Sequence, residues 1–186
     1  MTKYILHGGN TTDINEDNNS FFRAMTEKLE GQVRVLLVYF AREEEITDEF
    51  INEDKRRFLE NSENKELVFE VAEQEKLVKQ IRESQVIYIR GGCMRPLHEK
   101  LSNIQNFKDL FEDKIVGGSS AGCYILAKYY WDNDKKKFAE GLGLLPIKSI
   151  CHYQPEDDVI INEFPQNSST LPLLVLPDYK WVIFFN

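Results

Sequence analysis

Residues 118–122 read Gly-Ser-Ser-Ala-Gly, and this segment is the best suited of the chain to covalent chemistry. A Gly-x-Ser-x-Gly pattern between a buried strand and a helix makes a sharp turn that presents the central serine above a sheet. The flanking residues 114–118 and 123–129 predict that strand and that helix. The amide of Ala121 then points with the helix N-terminus toward a developing oxyanion. We therefore expect Ser120 to be a nucleophile; the alternative is a glycine-rich turn that packs tightly or binds an anion.

A serine nucleophile needs a base, and the chain contains three histidines, His7, His98 and His152. His98 falls within a predicted helix, where a surface position is typical. His7 and His152 both end predicted strands, and ligands of parallel sheets bind at the carboxyl ends of strands. We favour His152 because it follows the serine in chain order. His7 remains the alternative base, and the alternative role for His152 is that of a hydrogen-bonded residue at a strand end.

Short apolar runs alternate with amphipathic stretches along the chain, which predicts an α/β fold with a mostly parallel sheet. Strands are predicted near residues 4–7, 33–40, 66–71, 85–90, 114–118 and 149–152, and helices near residues 20–29, 47–59, 73–82, 94–104 and 123–129. The most apolar run, residues 33–40, is expected at the centre of the sheet. No repeat or low-complexity linker divides the chain, so we expect one domain over residues 1–186.

The C-terminal part of the chain contains two further apolar runs, residues 171–176 and 181–185. A short polar segment, residues 177–180, joins them and predicts a hairpin. The last run is apolar up to its end, so we expect it to pair at a sheet edge or to support a homodimer.

Composition excludes several classes of function. The 186 residues carry a net charge of -8, which is unsuited to binding a phosphate backbone, so no nucleic-acid partner is expected. With 42% hydrophobic residues the chain can bury one core, yet no run approaches the roughly 20 apolar residues of a membrane span. We expect a soluble protein without a membrane partner, and the N-terminal residues do not resemble a secretory signal.

The three cysteines, Cys93, Cys123 and Cys151, form no C-x-x-C pair. An odd number of cysteines argues against a disulfide framework and predicts a reducing, cytoplasmic location. Their spacing is poor for a zinc site, so no metal is expected, and buried apolar packing is the simpler role. A nucleophilic Cys93 or Cys123 is the weakest alternative, because serine occupies the turn.

Five short motifs follow one another in a recognisable order. They are Gly91-Gly92, Gly-Ser-Ser-Ala-Gly at 118–122, Gly-Leu-Gly-Leu-Leu at 141–145, Cys-His-Tyr at 151–153 and Leu-Pro-Asp at 176–178. In this order and spacing they resemble the dipeptidase E (aspartyl dipeptidase) family of serine peptidases, to which cyanophycinase is related. The fold of that group resembles the class I glutamine amidotransferase domain, so the resemblance implies a three-layer α/β/α architecture.

The resemblance also implies roles for individual residues. Ser120 would be the nucleophile of a peptidase acting on small peptides, His152 the general base, and the amides of Gly92 and Ala121 the oxyanion hole. The acid that orients the base would lie between the serine and the histidine; Asp134 is our first choice for it. Asp132 is the second choice, although Asp-Asn-Asp is also ordinary turn composition. No cofactor is implied.

The chain departs from the family in its charges. Members that remove an N-terminal aspartate carry an arginine after the catalytic histidine, whereas this chain has no Lys or Arg between Tyr153 and Tyr179. Strict aspartyl specificity is therefore not expected unless Arg90, Arg95 or Lys148 supplies the charge. These departures leave open a second hypothesis, a binding module of amidotransferase-like fold without a competent triad.

Overall fold

The computed structural model describes residues 1–63, 66–163 and 170–186. The strands are β1 (Lys3–His7), β2 (Val33–Val38), β3 (Leu67–Val71), β4 (Val86–Ile89), β5 (Ile115–Ser119), β6 (Ala127–Asp132), β7 (Lys137–Glu140), β8 (Leu145–Cys151), β9 (Leu173–Leu176) and β10 (Trp181–Phe185). The helices are α1 (Glu16–Thr26), α2 (Asp48–Asn61), α3 (Leu77–Glu83), α4 (Met94–Leu101), α5 (Phe107–Leu110), α6 (Ala121–Leu126) and α7 (Asp158–Glu163), with a 3₁₀ turn at Pro155–Asp157.

The described strands form two sheets. The first is six-stranded, in the order β10-β1-β5-β4-β2-β3, and all its pairings are parallel except that of β10 with β1. The second is four-stranded, in the order β7-β6-β8-β9, with β6, β8 and β9 parallel and β7 antiparallel to β6. This arrangement confirms the predicted mostly parallel α/β architecture.

Helices cover both faces of the larger sheet because its strands are apolar on both sides. Along β2, Val35 and Leu37 pack with residues of α1 and α2, including Phe22. Leu36 and Val38 point the opposite way and pack with α3, α4 and α6. That second cluster also contains residues of β6, β8 and β9, so the core continues from one sheet to the other. Of the helices in the described ranges, none has the length and hydropathy needed to cross a membrane.

Three local predictions are wrong. The two C-terminal strands do not form a hairpin, because β9 pairs with β8 in the smaller sheet and β10 pairs with β1 in the larger one. Strand β2 is not central but lies next to the outer strand β3. The helix predicted over residues 123–129 ends at Leu126, where the aromatic residues that follow continue as β6. Their β propensity exceeds their helix propensity, which explains the early end.

The fold brings four chain segments to one edge of the larger sheet. Strands β1, β5, β4 and β2 are parallel neighbours, so their carboxyl ends lie at the same edge. The segments that follow them are Gly8-Gly9, Ser120, Gly91-Gly92 and Ala41-Arg42. This edge is the place to search for a functional site.

Candidate active site

Ser120 occupies a strained turn between β5 and α6. Its backbone has φ 52 and ψ −110, a combination that costs a non-glycine residue about 1–3 kcal/mol. Gly118 permits the turn, because a Cβ there would lie 2.4 Å from the carbonyl oxygen of Gly122. The Ser120 amide donates to the carbonyl of His7 at 3.0 Å, which ties the turn to β1. The predicted nucleophile elbow is therefore present in its expected structural context.

The side chain of His152 connects Ser120 to a carboxylate. His152 Nε2 lies 2.8 Å from Ser120 Oγ, and His152 Nδ1 lies 2.6 Å from Asp178 Oδ1. With the Nδ1 proton donated to the carboxylate, Nε2 is free to accept the serine proton. The His152 and Asp178 side chains are 36% and 22% exposed, so the hydrogen-bonded group is reachable from solvent.

Asp178 comes from the turn between β9 and β10, and the turn after β1 holds it in place. Asn10 Nδ2 donates to Asp178 Oδ2 at 2.8 Å, which leaves Oδ1 for the histidine. The Tyr179 amide donates to the carbonyl of Gly9 at 3.2 Å. A Cβ at Gly8 would lie 2.0 Å from the carbonyl oxygen of Pro177, so only glycine allows this approach.

His152 is positioned from two sides. Its amide donates to the carbonyl of Gly8 at 3.0 Å, and a Cβ at Gly9 would lie 2.0 Å from His152 Cε1. On the other side, the Tyr124 hydroxyl of α6 donates to the carbonyl of Cys151 and accepts from its amide. Asn133 Nδ2 donates to that same carbonyl at 2.9 Å. The helix that begins after Ser120 thus fixes the end of β8, from which the histidine projects.

The Gly91-Gly92 turn after β4 faces Ser120. A Cβ at Gly91 would lie 2.9 Å from Ser120 Cβ, and one at Gly92 would lie 2.4 Å from the carbonyl oxygen of Ala41. Gly92 has φ 154, a conformation that favours glycine. The amide of Ala121 belongs to the first turn of α6, where an N–H has no acceptor within the helix. The two predicted oxyanion-hole residues therefore flank the serine.

The structure does not bring Asp134 or Asp132 to the histidine. Asp132 ends β6 and Asp134 lies in the turn that leads to β7, where Asp132 Oδ1 accepts from the amides of Asp134 and Lys135 at 3.1 and 3.0 Å. The carboxylate on His152 is that of Asp178, which sequence reasoning did not select. The available signal was the Leu-Pro-Asp motif before β10, since an acidic residue at a strand end can reach the same edge.

His7, the alternative base, lies beneath the site and does not face the serine. It is fully buried; Nε2 lies 2.9 Å from Asn18 Oδ1, and Nδ1 accepts the amide proton of Gly9 at 3.0 Å. Burial lowers its pKa to about 4, so the ring is neutral at pH 7. Its role is to hold the turn that contacts His152.

The cysteines are free thiols, and Cys151 Sγ lies 3.9 Å from the carbonyl oxygens of His7 and Ser120. Cys123 and Cys151 are buried, and Cys93 is half-buried at the start of α4. Burial raises the pKa of the Cys151 thiol well above its usual value, which keeps it protonated. Within the described part of the chain, no group of three or more His, Cys, Asp or Glu side chains could hold a metal ion.

A cavity of about 320 Å³ opens beside Ser120 and His152. The residues that line it include the carboxylates Asp132 and Asp134 and the arginines Arg42 and Arg90. Of the three cations considered from the sequence, Arg90 therefore reaches the cavity, whereas Arg95 and Lys148 are not among the residues that line it. Arg42 was missed because nothing in its local sequence marks it.

Comparison with known proteins agrees with this geometry. The model of peptidase family S51 matches residues 4–186. A peptidase from an acI-B1 Actinobacterium is similar in structure, with a TM-score of 0.66 at 16% identity over 99% of this chain and 83% of the other. A putative peptidase E protein from Listeria monocytogenes EGD-e gives a TM-score of 0.64 at 17% identity over 99% of this chain and 94% of the other. No curated protein gives a significant match.

A sheet-edge serine with a histidine and a carboxylate in line defines the class of serine hydrolases. Within that class, the match over nearly the whole chain shows that the protein belongs to peptidase family S51 and is a serine-type peptidase. The resemblance to the dipeptidase E family, predicted from five motifs, is confirmed.

Proposed function

We propose that Ser120, His152 and Asp178 are the catalytic triad with which this peptidase hydrolyses small peptides. The observation that carries the proposal is the continuous pair of hydrogen bonds, from Ser120 Oγ to His152 Nε2 and from His152 Nδ1 to Asp178 Oδ1. The limited volume of the adjacent cavity, about 320 Å³, supports a peptide of few residues.

In the first half of the reaction, His152 Nε2 takes the proton of Ser120 Oγ as the oxygen attacks the carbonyl carbon of the peptide bond. The carbonyl oxygen becomes an oxyanion, which the amides of Gly92 and Ala121 stabilise. His152 then returns its proton to the amide nitrogen, the C–N bond breaks, and the amine leaves. The acyl group stays on Ser120 as an ester.

The second half releases the acyl group. His152 takes a proton from a water molecule, and the resulting hydroxide attacks the ester carbon. The intermediate collapses, the serine oxygen recovers its proton from His152, and a carboxylic acid departs. Asp178 neither gains nor loses a proton during the reaction. Its carboxylate holds His152 in the Nδ1–H tautomer and stabilises the imidazolium that forms in each half of the reaction.

The test uses a small fluorophosphonate, which reacts covalently with an activated serine. We expect intact-mass spectrometry to find one adduct on the wild-type protein and none on Ser120→Ala or His152→Ala. Ser102→Ala, a substitution at the end of α4, is the matched control and should keep the adduct. A folded wild-type protein that forms no adduct would contradict the proposal and favour the binding module without a competent triad.

Four broader features belong to the same proposal. The continuous core supports a single domain over residues 1–186, and three unpaired cysteines support a cytoplasmic location. The net charge of -8 supports a peptide rather than a nucleic acid as partner. An outer strand, β10, with Phe185 61% exposed at its end supports a homodimer, which a molecular mass from light scattering would test.

A further inference from the structure

The cavity beside Ser120 is lined by an arginine whose charge has no carboxylate partner among the described residues. Arg42 follows β2, and its backbone amide donates to the carbonyl of Tyr39 at 2.9 Å. The guanidinium carbon lies 5.1 Å from the centroid of the Phe50 ring. Among the described residues, Arg42 Nε is buried without a hydrogen-bond partner, and no carboxylate lies within 4.0 Å of the guanidinium.

The neighbouring arginines differ from Arg42 in this respect. Arg90, which also lines the cavity, is 3% exposed and lies 2.9 Å from Asp54 and 3.1 Å from Glu53. Arg95 is 64% exposed and pairs with Glu43. Both guanidinium groups therefore already have carboxylate partners. Arg42 keeps its donors available to a ligand in the cavity, where a planar guanidinium binds a carboxylate through two parallel hydrogen bonds.

Arg42 lies within reach of a substrate bound at Ser120. Residue 41 contacts the Gly91-Gly92 turn, since the Cys93 amide donates to the carbonyl of Ala41 at 2.7 Å. The strands that lead to Ser120 and Arg42, β5 and β2, are separated only by β4. Neighbouring parallel strands are about 4.8 Å apart, so the ends of β5 and β2, two spacings apart, are separated by about 10 Å. A peptide of two residues with an extended side chain spans that distance.

Acidic residues also line the cavity. Asp132 pairs with Lys135 at 3.5 Å, whereas Asp134 makes no ion pair among the described residues. The Asp134 carboxylate repels a substrate carboxylate and attracts an ammonium group. A short peptide with a free amino terminus and a carboxylate carries the two charged groups that Asp134 and Arg42 attract.

We propose that Arg42 is a specificity-determining residue that binds a carboxylate of the peptide substrate. The inference rests on the proposed function, because it requires that the cavity beside Ser120 binds peptides. The carboxylate has two possible sources, the C-terminus of the peptide and an acidic side chain, and the same guanidinium would bind either.

Four peptides distinguish these sources: alanyl-alanine, alanyl-alanine amide, aspartyl-alanine and asparaginyl-alanine. We expect Arg42→Gln to lower kcat/KM by about 10- to 100-fold for substrates whose carboxylate Arg42 binds, through a higher KM. If that group is the C-terminus, the three free acids are affected and the amide is not. If it is a side chain, only aspartyl-alanine is affected.

Two further variants control this experiment. Arg42→Lys keeps the charge but loses the fork of donors, so it should give an intermediate loss. Arg95→Gln removes an exposed arginine that does not line the cavity, and it should leave all four rates within about 2-fold. Equal losses for all four peptides in Arg42→Gln, or no loss for any, would overturn the inference.

A binding measurement separates this inference from the proposed function. Calorimetric titration of Ser120→Ala with the same peptides requires no turnover, and adding Arg42→Gln should weaken binding by at least 10-fold for the peptides whose carboxylate Arg42 binds. If this holds while the wild-type protein hydrolyses none of the peptides, only the proposed function fails. If peptides are hydrolysed but bind equally well without Arg42, or if none binds to Ser120→Ala, the role of Arg42 is refuted.

Discussion

His7 and His152 both stand at the carboxyl ends of strands, and their surroundings differ in every respect that matters for chemistry. His7 is fully buried between an amide oxygen of Asn18 and the amide of Gly9. His152 is partly exposed between a hydroxyl and the carboxylate of Asp178. The two rings are close, because Gly9 contacts both of them.

The difference explains why His152, and not His7, is the proposed base. A ring between neutral hydrogen-bond partners in an apolar environment resists protonation, so His7 stays neutral and cannot carry a proton through a reaction. A ring beside a carboxylate gains stability when it is protonated, which is what a general base requires. The Gly8-Gly9 turn contacts both histidines. The His7 ring holds this turn in place by accepting the amide proton of Gly9, and the turn positions the His152 ring.

The largest expected effect is the difference in reactivity between two variants, His152→Gln and His7→Gln. We expect His152→Gln to slow phosphonylation of Ser120 by a fluorophosphonate about 10³- to 10⁴-fold, because the serine loses its base. His7→Gln removes no group that contacts the serine, so its folded fraction should react within about 10-fold of the wild type. The measurement is the adduct formation rate by intact mass. Equal losses of the reaction rate in His152→Gln and His7→Gln would contradict the assignment of His152, rather than His7, as the base.

The pH dependence of stability tests the burial of His7. Burial lowers its pKa from about 6.5 to about 4, so below pH 6.5 the unfolded chain binds a proton that the folded protein does not. The free energy of unfolding therefore falls as the pH falls from 7 to 4, with a contribution of about 3 kcal/mol from this residue. The free energy of unfolding, measured by urea denaturation at pH 7 and at pH 4, should show this loss of stability.

The control for this titration is His7→Gln, which has no titrating ring at this position. Its free energy of unfolding should fall between pH 7 and pH 4 by about 3 kcal/mol less than that of the wild type. If the two proteins lose equal stability over that range, His7 is not a buried neutral ring.

Replacing Gly9 with alanine should displace the His152 ring by steric contact alone. An alanine Cβ at Gly9 would lie 2.0 Å from His152 Cε1, so the ring must move away from Ser120 and Asp178. A displacement of about 1 Å costs roughly 10²-fold in rate, which we expect in phosphonylation of Gly9→Ala. Gly31→Ala is the matched control, because Gly31 also has positive φ but has no atom within 4 Å of the added Cβ. Its adduct rate should be unchanged; a similar loss in both variants would contradict steric transmission.

The proposed nucleophile and the proposed base could be selected from the sequence because each carries a local signal. The turn around Ser120 needs glycines and a strand-helix junction, and both are visible in adjacent residues. His152 follows directly after β8 and precedes a polar segment, so strand periodicity alone places it at a sheet edge. The parallel α/β class follows in the same way from alternating apolar runs.

The proposed orienting acid could not be predicted in this way, because its position depends on pairing between distant strands. Asp178 lies 26 residues after His152, and it reaches the ring only because β9 joins one sheet and β10 the other. The expected hairpin would have paired these strands with each other. Asp132 and Asp134 were chosen because the family resemblance puts the acid between the serine and the histidine, whereas the Asp132 carboxylate accepts from the Asp134 amide at the β6–β7 turn.

The most direct test of the proposed triad compares Asp178→Asn with Asp134→Asn. The two substitutions remove the same charge, one at the residue that contacts His152 and one at the residue predicted from sequence. The rate constant for phosphonylation of Ser120 should fall about 10³- to 10⁴-fold in Asp178→Asn, because the amide stabilises the wrong tautomer of the imidazole. Asp134→Asn should stay within about 10-fold of the wild type. A large loss in Asp134→Asn with little change in Asp178→Asn would contradict the account.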